Sequence, residues 1–193
     1  MASDEQRAQW DVKYEQGLPS LEKPDLFYLS AFDQFVADLF PNSGTALDLA
    51  GGIGRHALWL AKRNWQVTVV DISEVAIRKL DQKARQLDLT LDLFALDAKE
   101  YQFKPACFDL IVMFYHFDRA ICPSVFSTLK PGGLLICKSS LSWDSHEGSA
   151  PVSPRPLARN EILSMFTGLQ VMSHQERPVR KRGVVEYVGK KPA

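Results

Sequence analysis

A glycine-rich turn at residues 52–57, Gly-Ile-Gly-Arg-His-Ala, has the spacing that cradles the pyrophosphate of a dinucleotide. A pyrophosphate binds backbone N–H groups at a helix N-terminus, and a neighbouring anion would repel it. Asp48 places such an anion just before the turn. The turn therefore predicts a nucleotide-like ligand, and the carboxylate favours a ligand that carries no phosphate.

Three carboxylates, Asp48, Asp71 and Asp97, each stand at the end of an apolar stretch that is typical of a buried strand. In a doubly wound sheet, ligands bind at the carboxyl ends of the strands, so we expect these side chains to line one crevice. Each aspartate alone is equally typical of a strand-ending turn. The three together, beside a glycine turn, indicate a binding site.

S-adenosylmethionine carries no phosphate and offers a hydrogen-bond donor to each carboxylate. Its ammonium would meet Asp48, its ribose hydroxyls Asp71 and its adenine amino group Asp97. Gly52 and Gly54 lack a Cβ, so the backbone can pass close beneath such a ligand. We therefore expect S-adenosylmethionine as the cofactor and S-adenosylhomocysteine as the product.

The elements that would position these residues alternate between strand and helix patterns. Strands are predicted at residues 45–50, 66–72, 89–97, 108–115 and 134–141, and helices at 55–63, 73–87 and 118–129. Continuous apolar strands separated by helices indicate a mostly parallel sheet that is covered on both faces. The expected fold is α/β, a doubly wound Rossmann-like sheet, with Ser73 as the N-cap of its second helix.

The two ends of the chain depart from this alternation. Two helices are predicted first, around 4–16 and 26–39, and a turn at 130–133 precedes the fifth strand. After a helix near 159–167, the stretches 169–178 and 184–191 flank a polar turn at 180–183 and predict a hairpin. The sheet should therefore carry an antiparallel strand at or near one edge.

The length of 193 residues suits one domain, residues 1–193. Within it we expect a helical lid at 1–40, a cofactor-binding core at 44–141, and an acceptor-side loop with the hairpin at 142–193.

Composition argues against several classes of function. Lys plus Arg and Asp plus Glu number 23 each, so no net charge attracts nucleic acid or an anionic membrane. Cys107, Cys122 and Cys137 are odd in number and lack C-x-x-C spacing, which argues against disulfides or a metal site and suits a reducing cytoplasm. The polar N-terminus predicts no signal peptide, and no apolar run is long enough to cross a bilayer.

The stretch LDLAGGIGRHALWLAKRNWQVTVVDIS resembles the first two motifs of class I S-adenosylmethionine-dependent methyltransferases. The resemblance extends through ALDAKEY, FDLIVMFYHFDRA and LKPGGLLICKSSL. It narrows to the tellurite-resistance-type branch through Trp10-Asp11-Val12-Lys13-Tyr14, which matches W-D-x-x-Y, and through Phe117-Asp118-Arg119. The resemblance implies a seven-stranded sheet whose last strand is antiparallel.

Two positions of the glycine turn depart from the family pattern. Ala50 stands where most members have the first glycine, and Gly51 where the branch has cysteine. The extra glycine should loosen the turn at a cost of about 1 kcal/mol or less. The predicted cofactor-binding residues are Asp48, Ala50, Gly51, Gly52, Gly54, Asp71, Ile72, Asp97, Ala98, Phe114, Trp10 and Tyr14.

Four residues are candidates for contact with the methyl acceptor. His116 could act as a base or bind an anion, although a helix-capping or partly buried loop histidine is the favoured interpretation. Tyr14 lies one helical turn after Trp10, and the pair could form an aromatic lid over the sulfonium or dock an apolar helix face. Arg155 and Arg159 lie in a long loop rich in proline and serine, and two arginines would suit a small anionic acceptor.

The function we expect is methyl transfer to a small molecule by in-line displacement, in which orientation and exclusion of water do most of the work. Two alternatives stay open. The first is an NAD(P)-dependent oxidoreductase that uses the glycine turn. The second is a cofactor-binding module without catalysis.

Overall fold

The computed structural model describes residues 2–17, 22–142, 156–179 and 182–193. Its regular elements, in chain order, are α1 (Ala2–Gln16), α2 (Leu26–Ala31), β1 (Thr45–Leu49), α3 (Arg55–Ala61), β2 (Gln66–Asp71), α4 (Glu74–Gln86), β3 (Asp92–Ala95), β4 (Phe108–Phe114), α5 (Cys122–Thr128), β5 (Leu129–Leu141), α6 (Glu161–Met165), β6 (Gln170–Val179) and β7 (Arg182–Lys190). A π-helical turn, Phe32–Val36, continues α2, and a 3-10 turn, Arg119–Ile121, precedes α5.

The strands form one seven-stranded sheet in the order β3-β2-β1-β4-β5-β7-β6. Strands β1 to β5 are parallel to their neighbours, and β7 is antiparallel to both β5 and β6. The doubly wound sheet and the antiparallel strand near its edge are thus confirmed. The chain order reverses between β1 and β4, and the carboxyl ends of those strands are where such sheets bind ligands.

Strands β1, β2, β4 and β5 are buried on both faces, which explains why they are apolar without alternation. Leu47 and Ile111 belong to the core that includes α5 and α6, whereas Ala46 and Leu110 belong to the core that includes α2 and α3. Successive strand residues point to opposite faces, so β1 and β4 each contribute to both cores.

Three predicted boundaries differ from the structure. The helix expected at 26–39 is α-helical only to Ala31 and then widens into the π turn. The turn expected at 130–133 lies within β5, where pairing starts at Phe108 with Leu129 and resumes at Leu110 with Leu134. The extra residues bulge out of the ladder while both flanks stay paired. The helix expected near 159–167 covers only five residues, Glu161–Met165.

Helix α1 is fixed on the first turn of α4. Ser73 caps α4 as predicted, because its hydroxyl accepts the Ala76 N–H at 3.0 Å. That hydroxyl donates to Asp11 Oδ1 at 2.5 Å, and the same oxygen accepts the Val75 N–H at 3.1 Å. One helical turn further along α1, Lys79 Nζ donates to the Tyr14 carbonyl at 2.5 Å. These bonds hold α1 over the carboxyl edge of the sheet.

Candidate functional site

A cavity of about 460 Å³ opens at the carboxyl ends of β1, β2 and β4, beneath α1. It is lined by Gln6, Trp10, Lys13, Tyr14, Asp48, Ala50, Gly51, Gly52, Ile53, Arg55, His56, Val70, Asp71, Ile72, Asp97, Ala98, Phe114, Tyr115 and His116. Every residue predicted to bind the cofactor is in this lining except Gly54. The strand order sets Asp97, Asp71, Asp48 and Phe114 side by side along the cavity, from β3 to β4.

Asp48 is buried at the end of β1, and its Oδ2 has no hydrogen-bond partner among the described residues. Burial raises the pKa of this carboxyl to about 7, and the nearby Asp71 carboxylate adds to the effect, although Arg55 and the Ala57 N–H oppose it. A buried polar atom without a partner costs free energy in the unliganded protein. The arrangement suits a cationic ligand that pairs with this oxygen.

Asp71, at the end of β2, fixes the glycine turn. Its Oδ2 accepts the Gly52 N–H at 2.7 Å, and its Oδ1 accepts the Ser73 N–H at 2.9 Å. Burial raises the pKa of this carboxyl, whereas those two N–H groups oppose the shift. Each carboxylate oxygen keeps a further lone pair that a ligand hydroxyl can use.

The glycine turn differs in two respects from expectation. Ala50 has a φ of 54°, in the left-handed region where glycine is the usual residue. Gly51 is closely packed, since a Cβ there would lie 2.7 Å from Val69 Cγ1 and 3.0 Å from Asp48 Cγ. The extra glycine therefore makes room for its neighbours, and the expectation that it loosens the turn is not supported by this packing.

The two remaining glycines have separate roles. Gly52, at a φ of 57°, lies under Tyr14, whose Oη would be 2.4 Å from a Cβ at that position. Gly54 lies outside the cavity lining, so its expected place beneath the ligand stays a prediction. It is the residue before α3, at a φ of 77°, and a Cβ there would be 2.3 Å from Leu80 Cδ1. Gly54 thus permits the turn and the packing of α3 against α4.

Trp10 and Tyr14 both face the cavity from α1, with ring centroids 5.8 Å apart. Lys13 Nζ lies 4.2 Å from the centroid of the Trp10 ring. Burial, with the Asp71 and Asp48 carboxylates nearby, raises the pKa of Tyr14 well above its ordinary value. Between these aromatic residues, Asp11 makes the contacts to α4 described above. Its role was missed in the sequence, where its position in W-D-x-x-Y was the available signal.

Phe114, Tyr115 and His116 bring the end of β4 into the cavity. His116 Nε2 is buried without a hydrogen-bond partner among the described residues. Burial lowers the pKa of this imidazole, although the Asp118 and Asp97 carboxylates oppose the shift. The partly buried loop histidine favoured from the sequence is therefore what the structure shows, and the ring lies in the cavity wall.

Arg55 and His56, the first residues of α3, both line the cavity, and His56 is the one that the sequence prediction of the site did not include. His56 Nε2 accepts the Asp25 N–H at 3.3 Å, and its ring centroid is 4.4 Å from that of Phe114. Burial, with the Arg55 and Lys138 cations nearby, lowers the pKa of His56 to about 2. The Arg55 guanidinium carbon is 5.8 Å from the Phe114 ring centroid. The position of His56 directly after the glycine turn was the signal that could have found it.

Of the two loop arginines, the structure describes only Arg159. Arg155 lies outside the described residues. The Arg159 side chain is 65% exposed, with its Nε 3.6 Å from Glu176, and it is absent from the cavity lining. In the Phe117-Asp118-Arg119 motif, Arg119 binds the Glu161 carboxylate at the start of α6. That motif therefore packs α6 onto the turn after β4.

The described residues contain no cluster of His, Cys, Asp and Glu that could hold a metal ion. Across the described ranges, no helix is long and apolar enough to cross a membrane. Cys107, Cys122 and Cys137 are all free thiols.

Comparison with known proteins points to one class. A family model described as a methyltransferase domain matches residues 46–133. A thiopurine S-methyltransferase of Aliivibrio fischeri (strain ATCC 700601 / ES114) is 27% identical over 159 residues, which cover 67% of this chain and 71% of that protein.

Solved structures share the fold at low sequence identity. TehB from Haemophilus influenzae superposes with a TM-score of 0.71 at 20% identity, covering 84% of this chain and 61% of that one. The magnesium protoporphyrin IX methyltransferase of Synechocystis PCC 6803, solved with bound S-adenosylmethionine, gives a TM-score of 0.67 at 14% identity and covers 98% and 96% of the two chains.

The matched residues 46–133 contain the glycine turn and all three carboxylates of the cavity. The structure agrees with these matches, because the fold is a seven-stranded sheet in which β7 is antiparallel. The chain carries a methyltransferase domain over residues 46–133, and S-adenosylmethionine is the cofactor that these matches support.

Proposed function

We propose that this enzyme methylates a small molecule by in-line displacement at the sulfonium of S-adenosylmethionine. The observation that carries the proposal is the position of α1, which covers the cavity at the switch point with Trp10 and Tyr14. A covered cavity of this kind favours a molecule that can be enclosed over one that remains attached to a polymer. Equal numbers of acidic and basic residues likewise disfavour a nucleic-acid substrate.

The cofactor would lie along the line of strand ends. Asp97 would accept from the adenine amino group, Asp71 from the ribose hydroxyls, and Asp48 would pair with the ammonium. The unpartnered Oδ2 of Asp48 supports this orientation, because an ammonium would supply the partner that it lacks. The methyl group would then face the end of β4, where Phe114 lies.

The chemistry requires little from the protein beyond orientation, because the leaving thioether takes no proton. Aromatic faces from Trp10, Tyr14 and Phe114 would favour the sulfonium cation before transfer. Exclusion of water by α1 would protect the reacting pair and strengthen its electrostatic contacts.

For the acceptor we propose a small thiol or heteroaromatic molecule. The 27% identical relative is named as a thiopurine S-methyltransferase, which supports a heteroaromatic sulfur as the first acceptor to try. An oxyanion of tellurium or selenium is the second, from the resemblance to the tellurite-resistance-type branch. An anionic acceptor is favoured by Arg55, whose guanidinium lies in the cavity wall beside Phe114.

Two broader predictions accompany this proposal. We propose a division into a lid at 1–40, a core at 44–141 and an acceptor-side segment at 142–193. The three free thiols favour a reducing compartment, and we propose the cytoplasm.

Thermal unfolding with added ligands tests the cofactor site, and turnover tests the reaction. At about 100 times Kd, S-adenosylmethionine or S-adenosylhomocysteine should stabilise the fold by roughly 2.7 kcal/mol. The midpoint should rise by roughly 5–11 °C. Asp71→Ala should abolish the rise, whereas Asp38→Ala, at an exposed position, should retain it.

The acceptor panel then uses 6-mercaptopurine, a simple aromatic thiol, selenite and tellurite with methyl-labelled cofactor. Label transfer to one of them supports the proposal. A rise with NADH or NADPH but not with the adenosyl ligands would favour an oxidoreductase. Stabilisation by the adenosyl ligands without transfer to any acceptor would favour a cofactor-binding module.

A further inference from the structure

His56 joins the cavity to a buried charge cluster behind it. The imidazole is 2% exposed and packs between the rings of Phe114 and Tyr28, at centroid distances of 4.4 and 4.6 Å. It lies in the wall of the cavity on the β4 side, away from the carboxylates of β2 and β3. The ring therefore borders the part of the cavity that the proposed cofactor orientation leaves for the methyl acceptor.

The hydrogen bond at Nε2 fixes the tautomer of this ring. Nε2 faces the backbone N–H of Asp25 at 3.3 Å, and because that group can only donate, Nε2 must be the unprotonated nitrogen. A neutral imidazole then carries its proton on Nδ1. Within the described part of the chain Nδ1 makes no hydrogen bond, so its N–H is available to a ligand.

The donor to Nε2 is itself held in place. Lys138 Nζ binds both carboxylate oxygens of Asp25, at 2.9 and 3.0 Å, and Glu186 Oε1 at 2.9 Å. The Asp25 side chain also caps α2 by accepting the Phe27 N–H at 2.9 Å. The backbone of Asp25 is thus fixed by α2, β5 and β7 together, and it holds the imidazole in one orientation.

We propose that His56 binds the methyl acceptor as a neutral hydrogen-bond donor, through Nδ1–H, and so selects acceptors with a lone pair on or beside the atom that is methylated. This inference deepens the proposed function and rests on it. His56 does not act as a base, because Nδ1 already carries its proton and Nε2 is occupied. The low pKa of the buried imidazole agrees with a ring that stays neutral throughout the working range of the enzyme.

Nitrogen-15 NMR of the imidazole in the S-adenosylhomocysteine complex tests the tautomer without any acceptor. We expect one His56 resonance pattern, with Nδ1 protonated and Nε2 not, that stays constant between about pH 5 and 8. A protonated Nε2, or titration within that interval, would overturn the proposal.

Two substitutions separate the two nitrogens. His56→Asn places an amide near the position of Nδ1 and loses the contact with Asp25, whereas His56→Gln reaches the Asp25 N–H and loses the donor at Nδ1. The probe is 6-mercaptopurine, added to the S-adenosylhomocysteine complex and followed by calorimetry. We expect His56→Gln to weaken its binding roughly tenfold, with His56→Asn close to the wild type.

The cofactor provides the control. The Kd of S-adenosylhomocysteine should be unchanged in both variants, because the donor faces the acceptor end of the cavity. Equal weakening in both variants, parallel loss of cofactor affinity, or no binding of the probe to the wild-type complex would overturn the proposal. A separate assay of methyl transfer tests the proposed function. If S-adenosylmethionine and 6-mercaptopurine both bind and no methyl group is transferred, the proposed function fails while the role of His56 in binding does not.

Discussion

The two sides of the switch point bury charge in opposite ways. On the β5 and β7 side, Lys138 lies between Asp25 and Glu186, and Arg177 Nη2 adds a bond to Glu186 at 3.0 Å. On the β1 side, Asp48 is equally buried, but its Oδ2 meets no partner among the described residues. Lys138 lies near the carboxyl end of β5 and Asp48 near that of β1, and β4 lies between these two strands in the sheet.

The difference separates structural charges from charges kept for a ligand. A buried ion whose partners all come from the chain is a structural charge. Removing one partner leaves the other buried charge uncompensated and destabilises the fold. A buried carboxylate without a partner destabilises the unliganded protein, and a ligand of opposite charge can relieve that cost. Pairing within the chain, more than burial, therefore distinguishes the two regions.

The largest expected effect is at Lys138. Lys138→Met removes the cation that binds the Asp25 carboxylate and leaves Glu186 with Arg177 alone, and we expect a loss of about 3–5 kcal/mol in the free energy of unfolding. Urea unfolding measures it. Lys83→Met, at an exposed position on α4, should change stability by less than about 0.5 kcal/mol. A similar small change at both lysines would remove the contrast between the two regions.

Substitution of Asp48 should change the free energy of unfolding in the opposite direction. Its pKa of about 7 in the fold, against an ordinary value of 3.8, means that the folded state holds its proton more tightly than the unfolded chain. This contribution to stability is full below about pH 4 and is lost as the pH rises through 7. Asp48→Asn should therefore stabilise the unliganded protein at pH 8 by up to about 4 kcal/mol, with little difference at pH 4. Equal free energies of unfolding for variant and wild type at pH 8 would show that the buried Asp48 carboxylate does not destabilise the unliganded protein.

The same carboxyl should make cofactor binding depend on pH. Below pH 7 Asp48 must lose its proton before it can pair with the ammonium of S-adenosylhomocysteine. The Kd should therefore rise by up to about tenfold per pH unit on acidification, because one proton is released per ligand bound. Asp48→Asn should bind more weakly at pH 8 and show a flatter profile. Parallel profiles measured by calorimetry would assign the titration to another group, such as Asp71.

A smaller effect is expected where α1 meets α4. Asp11→Ala removes the acceptor for the Ser73 hydroxyl and the Val75 N–H, and should cost about 1 kcal/mol. Because Ser73 also donates its N–H to Asp71, the Kd of S-adenosylhomocysteine should rise severalfold. Asp4→Ala, on the same helix, is the matched comparison. An unchanged Kd would separate the position of α1 from cofactor binding.

The smallest effect on stability is expected at Arg159. Its side chain is 65% exposed, so Arg159→Ala should change the free energy of unfolding by less than about 0.5 kcal/mol. Any role in acceptor binding would then be read in the KM for the acceptor alone. A KM and a stability that both match the wild type would remove Arg159 from the acceptor site.

Features that depend on residue period or on near neighbours in the chain could be predicted from the sequence. The apolar strands, the Ser73 cap and the hairpin follow from period, capping chemistry and turn residues, and the strand-end rule brings Asp48 and Asp71 together. The buried cluster could not be read in this way, because Lys138 and Asp25 are 113 residues apart in the chain. The fixed tautomer of His56 likewise depends on a backbone N–H that only the tertiary fold brings to it.

The position of β7 also has a consequence for the order in which the chain folds. Strand β6 precedes β7, yet in the described sheet β6 pairs with β7 alone. It can join the sheet only through β7, which pairs with the edge of β5 at Ile136 with Val188 and at Cys137 with Tyr187. We expect the two strands to form a local hairpin first and then dock as one unit. Until they dock, β5 presents an unpaired apolar edge, which makes this the step at which the nascent protein is most exposed to aggregation.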